Sequence, residues 1–157
     1  MKFFNMKILL SMLLIVGTMG LANATTVKQK VVYHINYDNP KQQAGALRNI
    51  QNHINAVGSE NLEIKVVLHG NGVSLLLDPD SLKKTKMKKA NATDSMQASI
   101  SALKDQGISF NVCANTLKGR NISFEDDLYD VNKNDIVPSG VAELAILQGK
   151  GYGYIKP

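Results

Sequence analysis

The sequence contains a single cysteine, Cys113, among its 157 residues. Exported domains that depend on disulfides carry their cysteines in even numbers, so this chain cannot form an intramolecular disulfide. Its stability must come from a hydrophobic core instead. The lone thiol therefore needs an explanation of its own.

The amino-terminal apolar run is too short for a transmembrane helix. Ile8–Met19 spans about 12 residues, whereas a helix needs roughly 20 to cross a bilayer. Two lysines precede the run and Ala22-Asn23-Ala24 follows it, an arrangement typical of a cleaved secretory signal peptide. We expect residues 1–24 to be this signal peptide, an uncleaved anchor being the alternative. Residues 25–157 would then be one exported domain, in a location such as the bacterial periplasm, with no membrane anchor after cleavage.

Nucleic-acid-binding patterns are also missing. The formal net charge is +5, and five lysines lie between Lys83 and Lys89 with no aromatic residue among them. No recognisable nucleic-acid motif accompanies this run, so we expect no nucleic-acid partner. A solvated loop or helix face is the simplest interpretation of the lysines, and attraction to an anionic surface is the alternative.

Strand-forming and helix-forming segments alternate along the remainder of the chain. Runs of β-branched and aromatic residues predict strands at 31–37, 62–68, 108–113, 135–137 and 151–155. Apolar residues at helical spacing, with capping residues at the ends, predict helices at 39–58, 94–107 and 138–149 and shorter ones from 73 and at 115–120. Such alternation predicts βαβ units, and hence a three-layer α/β domain with a mostly parallel sheet.

Ligands of open parallel sheets bind at the carboxyl ends of the strands. Asp38, His69 and Cys113 follow or close the first three predicted strands. A helix starting after Cys113, with Lys118 and Arg120 close behind, would favour the thiolate form. We therefore expect a lowered pKa and partial access for the Cys113 thiol, with an inert buried cysteine as the alternative.

The histidines allow several interpretations. His69 could act as a general base, bind a metal ion or cap backbone groups at the strand end, and His34 is expected in the core or at an interface. His53 is expected on a helix surface, which leaves too few ligands for a metal site, so we predict no metal and no cofactor. A triad of Cys113, His69 and Asp38 is conceivable, although their spacing does not show that they meet.

Several segments of the chain resemble the DsrE/DsrF-like family, specifically an exported branch of it. The similar segments are KVVYHINYD at 30–38, RNIQNHINAVG at 48–58, VVLHGNGVSLLL at 66–77, LKDQGISFNVCANTLKGRNI at 103–122 and DIVPSGVAELAILQGKGYGYIKP at 135–157. The resemblance implies a three-layer α/β/α fold with a five-stranded parallel sheet, and homo-oligomers that are commonly trimers or hexamers.

The resemblance also suggests a chemistry for Cys113. In the sulfur-relay members of the family, a cysteine at the end of a central strand accepts sulfane sulfur as a persulfide and passes it on. Cys113 occupies the matching position, while His69 and Asn115 match the exported branch without a role that can be transferred. Two departures stand out: the relay members are cytoplasmic, and this chain has no second cysteine to resolve a persulfide.

Two hypotheses follow from these observations. The first is a sulfur carrier or sulfurtransferase-type protein that uses Cys113 as persulfide acceptor, with a sulfur donor or acceptor protein as its partner. The second is a non-catalytic homo-oligomeric binding module in which Cys113 is a structural or interface residue. The apolar segment Val73–Leu77 is a candidate for the oligomer surface under either hypothesis.

Overall fold

The computed structural model describes residues 27–157. The predicted signal peptide, residues 1–24, lies outside the described residues. Within the described part of the chain, no helix is both long and apolar enough to cross a membrane.

Five parallel strands form one sheet in the order β4-β3-β2-β1-β5. The strands are β1 (Gln29–Ile35), β2 (Leu62–Leu68), β3 (Ser109–Cys113), β4 (Ile136–Val137) and β5 (Gly153–Ile155). β1 begins and ends two residues before the predicted segment, and the other strands lie within their predicted ranges. The predicted α/β class with a mostly parallel five-stranded sheet is confirmed.

The helices occupy both faces of the sheet. They are α1 (Pro40–Val57), α2 (Asp94–Lys104), α3 (Ala114–Arg120), α4 (Phe124–Asp127) and α5 (Gly140–Gly149), with short 3₁₀ turns at 59–61, 70–75, 79–84 and 133–135. The connections from β1 to β4 step across the sheet in one direction, and the connection from β4 to β5 returns across it. Because such crossovers are right-handed, α5 is placed on the face opposite to α1 and α2.

Two hydrophobic clusters show the same division into layers. Phe110 and Val112 of β3 belong to the larger cluster, which contains the buried residues of α1 and α2. On the other face, Val32 and Val67 of the two central strands pack with Leu144 of α5. Side chains that alternate along the strands therefore fill two cores, as expected for a parallel sheet covered on both faces.

The helix boundaries follow from capping residues. The side chain of Asn39 accepts hydrogen bonds from the first turn of α1, and Gly58 ends that helix with a φ of 89°, a conformation that favours glycine. The helix predicted at 94–107 begins at Asp94, as its predicted range has it. Thr93 is the N-cap of α2, and Asp94 lies inside its first turn. There the positive end of the helix dipole stabilises the Asp94 carboxylate.

The segment after β2 differs from the prediction. Residues 70–75 form a 3₁₀ turn, and Val73, Leu75, Leu76 and Leu77 are completely buried within the chain. The proposal that this segment forms an oligomer surface is therefore wrong, because its side chains contribute to the domain's own core.

A buried cluster of polar side chains connects the turn at 70–75 to α1 and to Asn91 by hydrogen bonds. The amide of Gln43 donates to Ser74 Oγ at 3.0 Å, and Asn91 Nδ2 donates to Gln43 Oε1 at 2.8 Å. Gln43 and Ser74 have no solvent exposure, so these bonds replace lost contacts with water. The cluster links α1, the turn after β2 and the end of the lysine-rich segment.

The five lysines between Lys83 and Lys89 are all exposed, while Met87 among them is buried. The amide of Lys86 donates to the carbonyl of Arg120 at 2.8 Å, which holds this loop against the end of α3. The structure therefore agrees with a solvated loop anchored by one apolar side chain.

Candidate functional site

Cys113 is the last residue of β3, and α3 begins immediately after it. Its side chain lies on the face covered by α5: a Cβ placed on Gly140 would be 3.3 Å from Cys113 Cβ. Only 4% of the residue is exposed. The expected partial access is therefore wrong, because the amino-terminal end of α5 covers the thiol.

Polar groups at the amino-terminal ends of α3 and α5 lower the pKa of the Cys113 thiol. Burial raises the pKa of the thiol, whereas hydrogen bonding from the backbone N–H of Gly140, the hydroxyl and N–H of Thr116 and the N–H of Asn115 lowers it. The net shift is downward from the ordinary value of 9.0. We call these donors the sulfur cradle.

The predicted direction of the pKa shift is thus confirmed, but its predicted cause is only partly right. The first residues of α3 do contribute, through N–H groups that have no partner within the helix. Lys118 and Arg120 do not contribute to the shift. Arg120 is engaged elsewhere, with Nη1 donating to the Lys86 carbonyl and Nη2 to Asn71.

Thr116 is oriented by a second hydrogen bond. Its Oγ1 accepts from the N–H of Gly70 at 2.8 Å. A hydroxyl has one proton and can accept through its lone pairs, so this acceptance leaves the Thr116 proton available for the Cys113 sulfur. The turn after β2 therefore helps to position a donor of the sulfur cradle.

His69 lies beside Cys113 on the neighbouring strand. Leu68 pairs with Val112, so the next residue of each chain segment, His69 and Cys113, leaves the sheet at the same level. A Cβ on Gly140 would be 2.8 Å from His69 Cβ and 3.3 Å from Cys113 Cβ. Only glycine allows the backbone of α5 to approach both residues so closely.

A hydrogen-bonded chain runs from His69 toward the edge of the sheet. His69 Nε2 is 2.7 Å from His34 Nε2, and His34 Nδ1 is 2.6 Å from the Tyr154 hydroxyl. The two imidazole centres are 4.8 Å apart with planes inclined by 21°. Since the facing nitrogens are closer than stacked rings can approach, the rings meet edge to edge, each presenting Nε2 to the other.

The surroundings favour the neutral form of both imidazoles. Burial lowers the pKa of His34 to about 4, with the positive charges of His69 and Lys156 contributing further. Burial also lowers the pKa of His69, again with a contribution from Lys156. In a neutral pair, one Nε2 donates and the other accepts.

An open cleft of about 480 Å³ lies above this pair. The side chains that line it are His34, His69, Val141, Leu144, Ala145, Gln148 and Tyr154. α5 supplies an apolar wall, and the histidines and Tyr154 supply the polar one. Cys113 does not line this cleft, but a Cβ on Gly140 would lie close to both Cys113 and His69, which does line it.

The structure does not form the conceivable triad of Cys113, His69 and Asp38. The Asp38 carboxylate lies 3.9 Å from the ammonium of Lys89, and the Nε2 partner of His69 is His34. His34 is buried and hydrogen-bonded through both ring nitrogens, as expected of a core histidine, and it also lines the cleft. The only sequence signal for the role of His34 was its alternation with Val32 along β1, which places both side chains on the same face of the sheet.

His53 lies on the other side of the sheet, half-buried on α1, where its Nδ1 is 3.0 Å from the Tyr33 hydroxyl. It is separate from the site. Across residues 27–157, no three histidine, cysteine or acidic side chains are grouped in a way that could hold a metal ion.

Comparison with known families identifies the chain. The sequence model of the DsrE/DsrF-like family matches residues 29–157. The chain belongs to the DsrE/DsrF-like family. No curated protein sequence matches it.

Solved structures agree with this assignment. The chain is similar to MTH1491, a protein of unknown function from Methanobacterium thermoautotrophicum, with a TM-score of 0.65, 26% identity and coverage of 83% of this chain and 100% of that one. It also shares its fold with the ychN protein from E. coli, at a TM-score of 0.60 and 20% identity, over 82% of this chain and 99% of that one.

Proposed function

We propose that this DsrE-like protein is an exported sulfur carrier that holds sulfane sulfur as a persulfide on Cys113. The observation that supports this most directly is the sulfur cradle. Its donors from Gly140, Thr116 and Asn115 stabilise a thiolate, which is the nucleophilic form of cysteine. The family's association with sulfur relay points to the same chemistry.

The loading step needs only the thiolate and a persulfide donor. The Cys113 thiolate attacks the terminal sulfur of a donor R–S–SH, a new S–S bond forms at Cys113, and the S–S bond of the donor breaks. The products are Cys113–S–SH and the thiolate R–S⁻, so no oxidant or reductant is consumed. Because Cys113 is 4% exposed, a compact donor such as inorganic polysulfide suits this site better than a bulky one.

Mass spectrometry of the folded protein after treatment with polysulfide tests the proposal. We expect one stable added sulfur on the wild type and none on Cys113→Ser, with both proteins equally folded by circular dichroism. Suppose instead that Cys113 resists sulfur addition and alkylation until the protein is unfolded. The thiol is then a packing residue, and the non-catalytic binding module becomes the better description.

We further propose that the protein works as a homo-oligomer, with trimers or hexamers as the expected sizes. Support comes from apolar side chains left exposed on α5 and β5 outside the cleft: Ile146 at 48% and Ile155 at 37%. Glu143 is the only charged residue of α5, so the outer side of this helix is largely apolar. Light scattering at micromolar concentration that gives only the monomer mass would count against an oligomer.

Export remains a proposal that rests on residues 1–24. Exported material should begin near Thr25. Amino-terminal sequencing that still finds Met1 would place the protein in another compartment.

A further inference from the structure

Three side chains form a hydrogen-bonded chain across neighbouring strands on the α5 face. Tyr154 belongs to β5, His34 to β1, and His69 directly follows β2. Tyr154 is 43% exposed at the edge of the sheet, whereas His34 is 7% exposed. The chain therefore connects solvent with the residue that lies beside Cys113.

The hydrogen bonds of this chain can run in either direction. In one arrangement, His69 donates from Nε2 to His34 and His34 donates from Nδ1 to the Tyr154 oxygen. His69 Nδ1, which has no hydrogen-bond partner within residues 27–157, then carries a free lone pair. In the reverse arrangement, Tyr154 donates to His34, His34 donates to His69, and His69 carries its proton on Nδ1.

Changing from the first arrangement to the second transfers one proton. His69 takes a proton on Nδ1 and passes its Nε2 proton to His34, which passes its Nδ1 proton to the Tyr154 oxygen. The original hydroxyl proton of Tyr154 leaves to water. All three side chains are neutral before and after, so the chain moves a proton without storing a charge.

We propose that His69, connected through His34 to Tyr154, is the base that deprotonates a thiol acceptor when sulfur leaves Cys113, and that the cleft beside α5 receives this acceptor. The inference rests on the proposed function of Cys113 and extends it to the second half of the sulfur transfer. His69 is then a catalytic residue, and His34 and Tyr154 are relay residues that act through it.

The release step balances as follows. The acceptor R–SH gives its proton to His69 Nδ1, and the resulting thiolate attacks the outer sulfur of Cys113–S–SH. The acceptor's new S–S bond forms as the S–S bond on Cys113 breaks. The products are R–S–SH and the Cys113 thiolate, which the sulfur cradle stabilises.

The surroundings of His69 suit a base that passes protons on. The titratable groups next to the His34–His69 pair are Tyr154 of β5, Lys156 after β5 and Cys113 of β3, while Glu143 of α5 contacts Asn111 instead. Lys156 disfavours a positive charge on both imidazoles, and Glu143 is 3.5 Å from the amide of Asn111. When His69 takes a proton on Nδ1, a proton therefore leaves the chain at Tyr154 and no positive charge stays on the imidazoles.

The cleft indicates which acceptors fit. Val141, Leu144 and Ala145 supply an apolar wall opposite the imidazoles. A volume of about 480 Å³ is typical of sites for small organic molecules. We therefore expect a small thiol whose body is mainly apolar, with its sulfur directed toward His69 and Gly140.

The test measures sulfur release separately from loading. Wild-type protein is loaded with polysulfide and desalted, 2-mercaptoethanol is added, and loss of the added sulfur mass is followed between pH 6 and pH 9. For the wild type we expect a weak dependence on pH, because His69 supplies the base. His69→Gln should release sulfur about a hundredfold more slowly at pH 7, which is the lower end of general-base effects.

The shape of the pH profile distinguishes chemistry from a structural effect. Release by His69→Gln should rise about tenfold per pH unit and approach the wild-type rate once the acceptor is itself ionised, and added imidazole should restore part of the rate at pH 7. Tyr154→Phe, a change at an exposed position, should give a smaller loss confined to low pH. His53→Gln is the matched control and should release sulfur as the wild type does.

Different outcomes overturn different claims. A wild type that never acquires sulfur on Cys113 removes the proposed function itself. Normal loading, with His69→Gln and Tyr154→Phe both following the wild-type release profile, removes the role of the histidine chain and leaves the carrier intact. If His69→Gln does not fold, the release profile of Tyr154→Phe is compared with that of the wild type. A profile equal to the wild type then removes the role of the histidine chain.

Discussion

Thr116 Oγ1 lies 2.8 Å from the backbone nitrogen of Gly70, which connects the helix after β3 to the turn after β2. The same hydroxyl is one of the groups that lower the pKa of Cys113. The position of one donor in the sulfur cradle therefore depends on the backbone of a different strand connection.

Replacing this hydroxyl should weaken the thiolate. Thr116→Val keeps the side-chain shape but removes the donor, so we expect the pKa of Cys113 to rise and its alkylation by iodoacetamide at pH 7 to slow about tenfold, since a hydrogen bond to a charged group contributes roughly 1.5–3 kcal/mol. The measurement is the alkylation rate against pH. Thr116→Ser keeps the hydroxyl and should react at nearly the wild-type rate; equal rates for Val and Ser would show that the hydroxyl is unimportant.

Gly140 should tolerate no side chain. In Gly140→Ala the new Cβ would be 2.8 Å from His69 Cβ, so we expect a loss of about 1–3 kcal/mol in the free energy of unfolding and a disturbed sulfur cradle. Urea denaturation measures the loss. Gly149→Ala, at the other end of α5, meets nothing within 4 Å and should be neutral or slightly stabilising. Similar stability for the two variants would contradict the close approach.

Acid should destabilise the protein through His34. Its pKa is about 4 in the folded protein and 6.5 as the ordinary value, so the unfolded chain binds the proton more readily between these values. Above pH 6.5 His34 is neutral in both states and does not reduce the free energy of unfolding. As the pH falls from 6.5 toward 4, protonation of His34 in the unfolded chain lowers the free energy of unfolding by about 3 kcal/mol at most. Urea denaturation from pH 7 to pH 4 should show a shallower decline for His34→Gln than for the wild type. A decline as steep as that of the wild type would argue against this role, and His53→Gln is the control.

A substitution in the buried polar cluster should reduce the free energy of unfolding more than one at the exposed residue next to it on α1. Gln43→Ala leaves the buried Asn91 amide and Ser74 hydroxyl with fewer partners, and we expect a loss of about 1–3 kcal/mol in the free energy of unfolding. Gln42→Ala changes an exposed side chain and should stay within about 0.5 kcal/mol of the wild type. Thermal or urea unfolding compares the two, and equal losses would mean that the buried bonds add little.

Most strands of the sheet could be predicted because strand-forming and capping signals depend on residues close together in the sequence. The apolar β-branched run at Leu62–Leu68 and the Asn39 and Gly58 signals around α1 each act over a few residues. The place of Cys113 at a strand end followed from the same local pattern. Its burial could not be predicted, because Gly140, which covers it, belongs to a helix that returns across the opposite face of the sheet.

The histidine chain depended on information that the sequence does not display. His34 and Tyr154 are 120 residues apart, and they meet only because β5 pairs with β1 rather than with β4. A single histidine within an apolar strand is more often a core residue than part of a site. The sequence predicted the strands themselves but not the order in which they pair in the sheet.

The pairing of β5 with β1 also has a consequence for self-association. β5 is only three residues long and is exposed, yet it occupies the hydrogen-bonding side of β1 along Val31, Val32 and Tyr33. Proteolytic removal of this short strand would turn one of the most hydrophobic strands into an open edge, a template on which further chains can assemble. The three residues of β5 thus cover an edge of β1 that could otherwise pair with another chain.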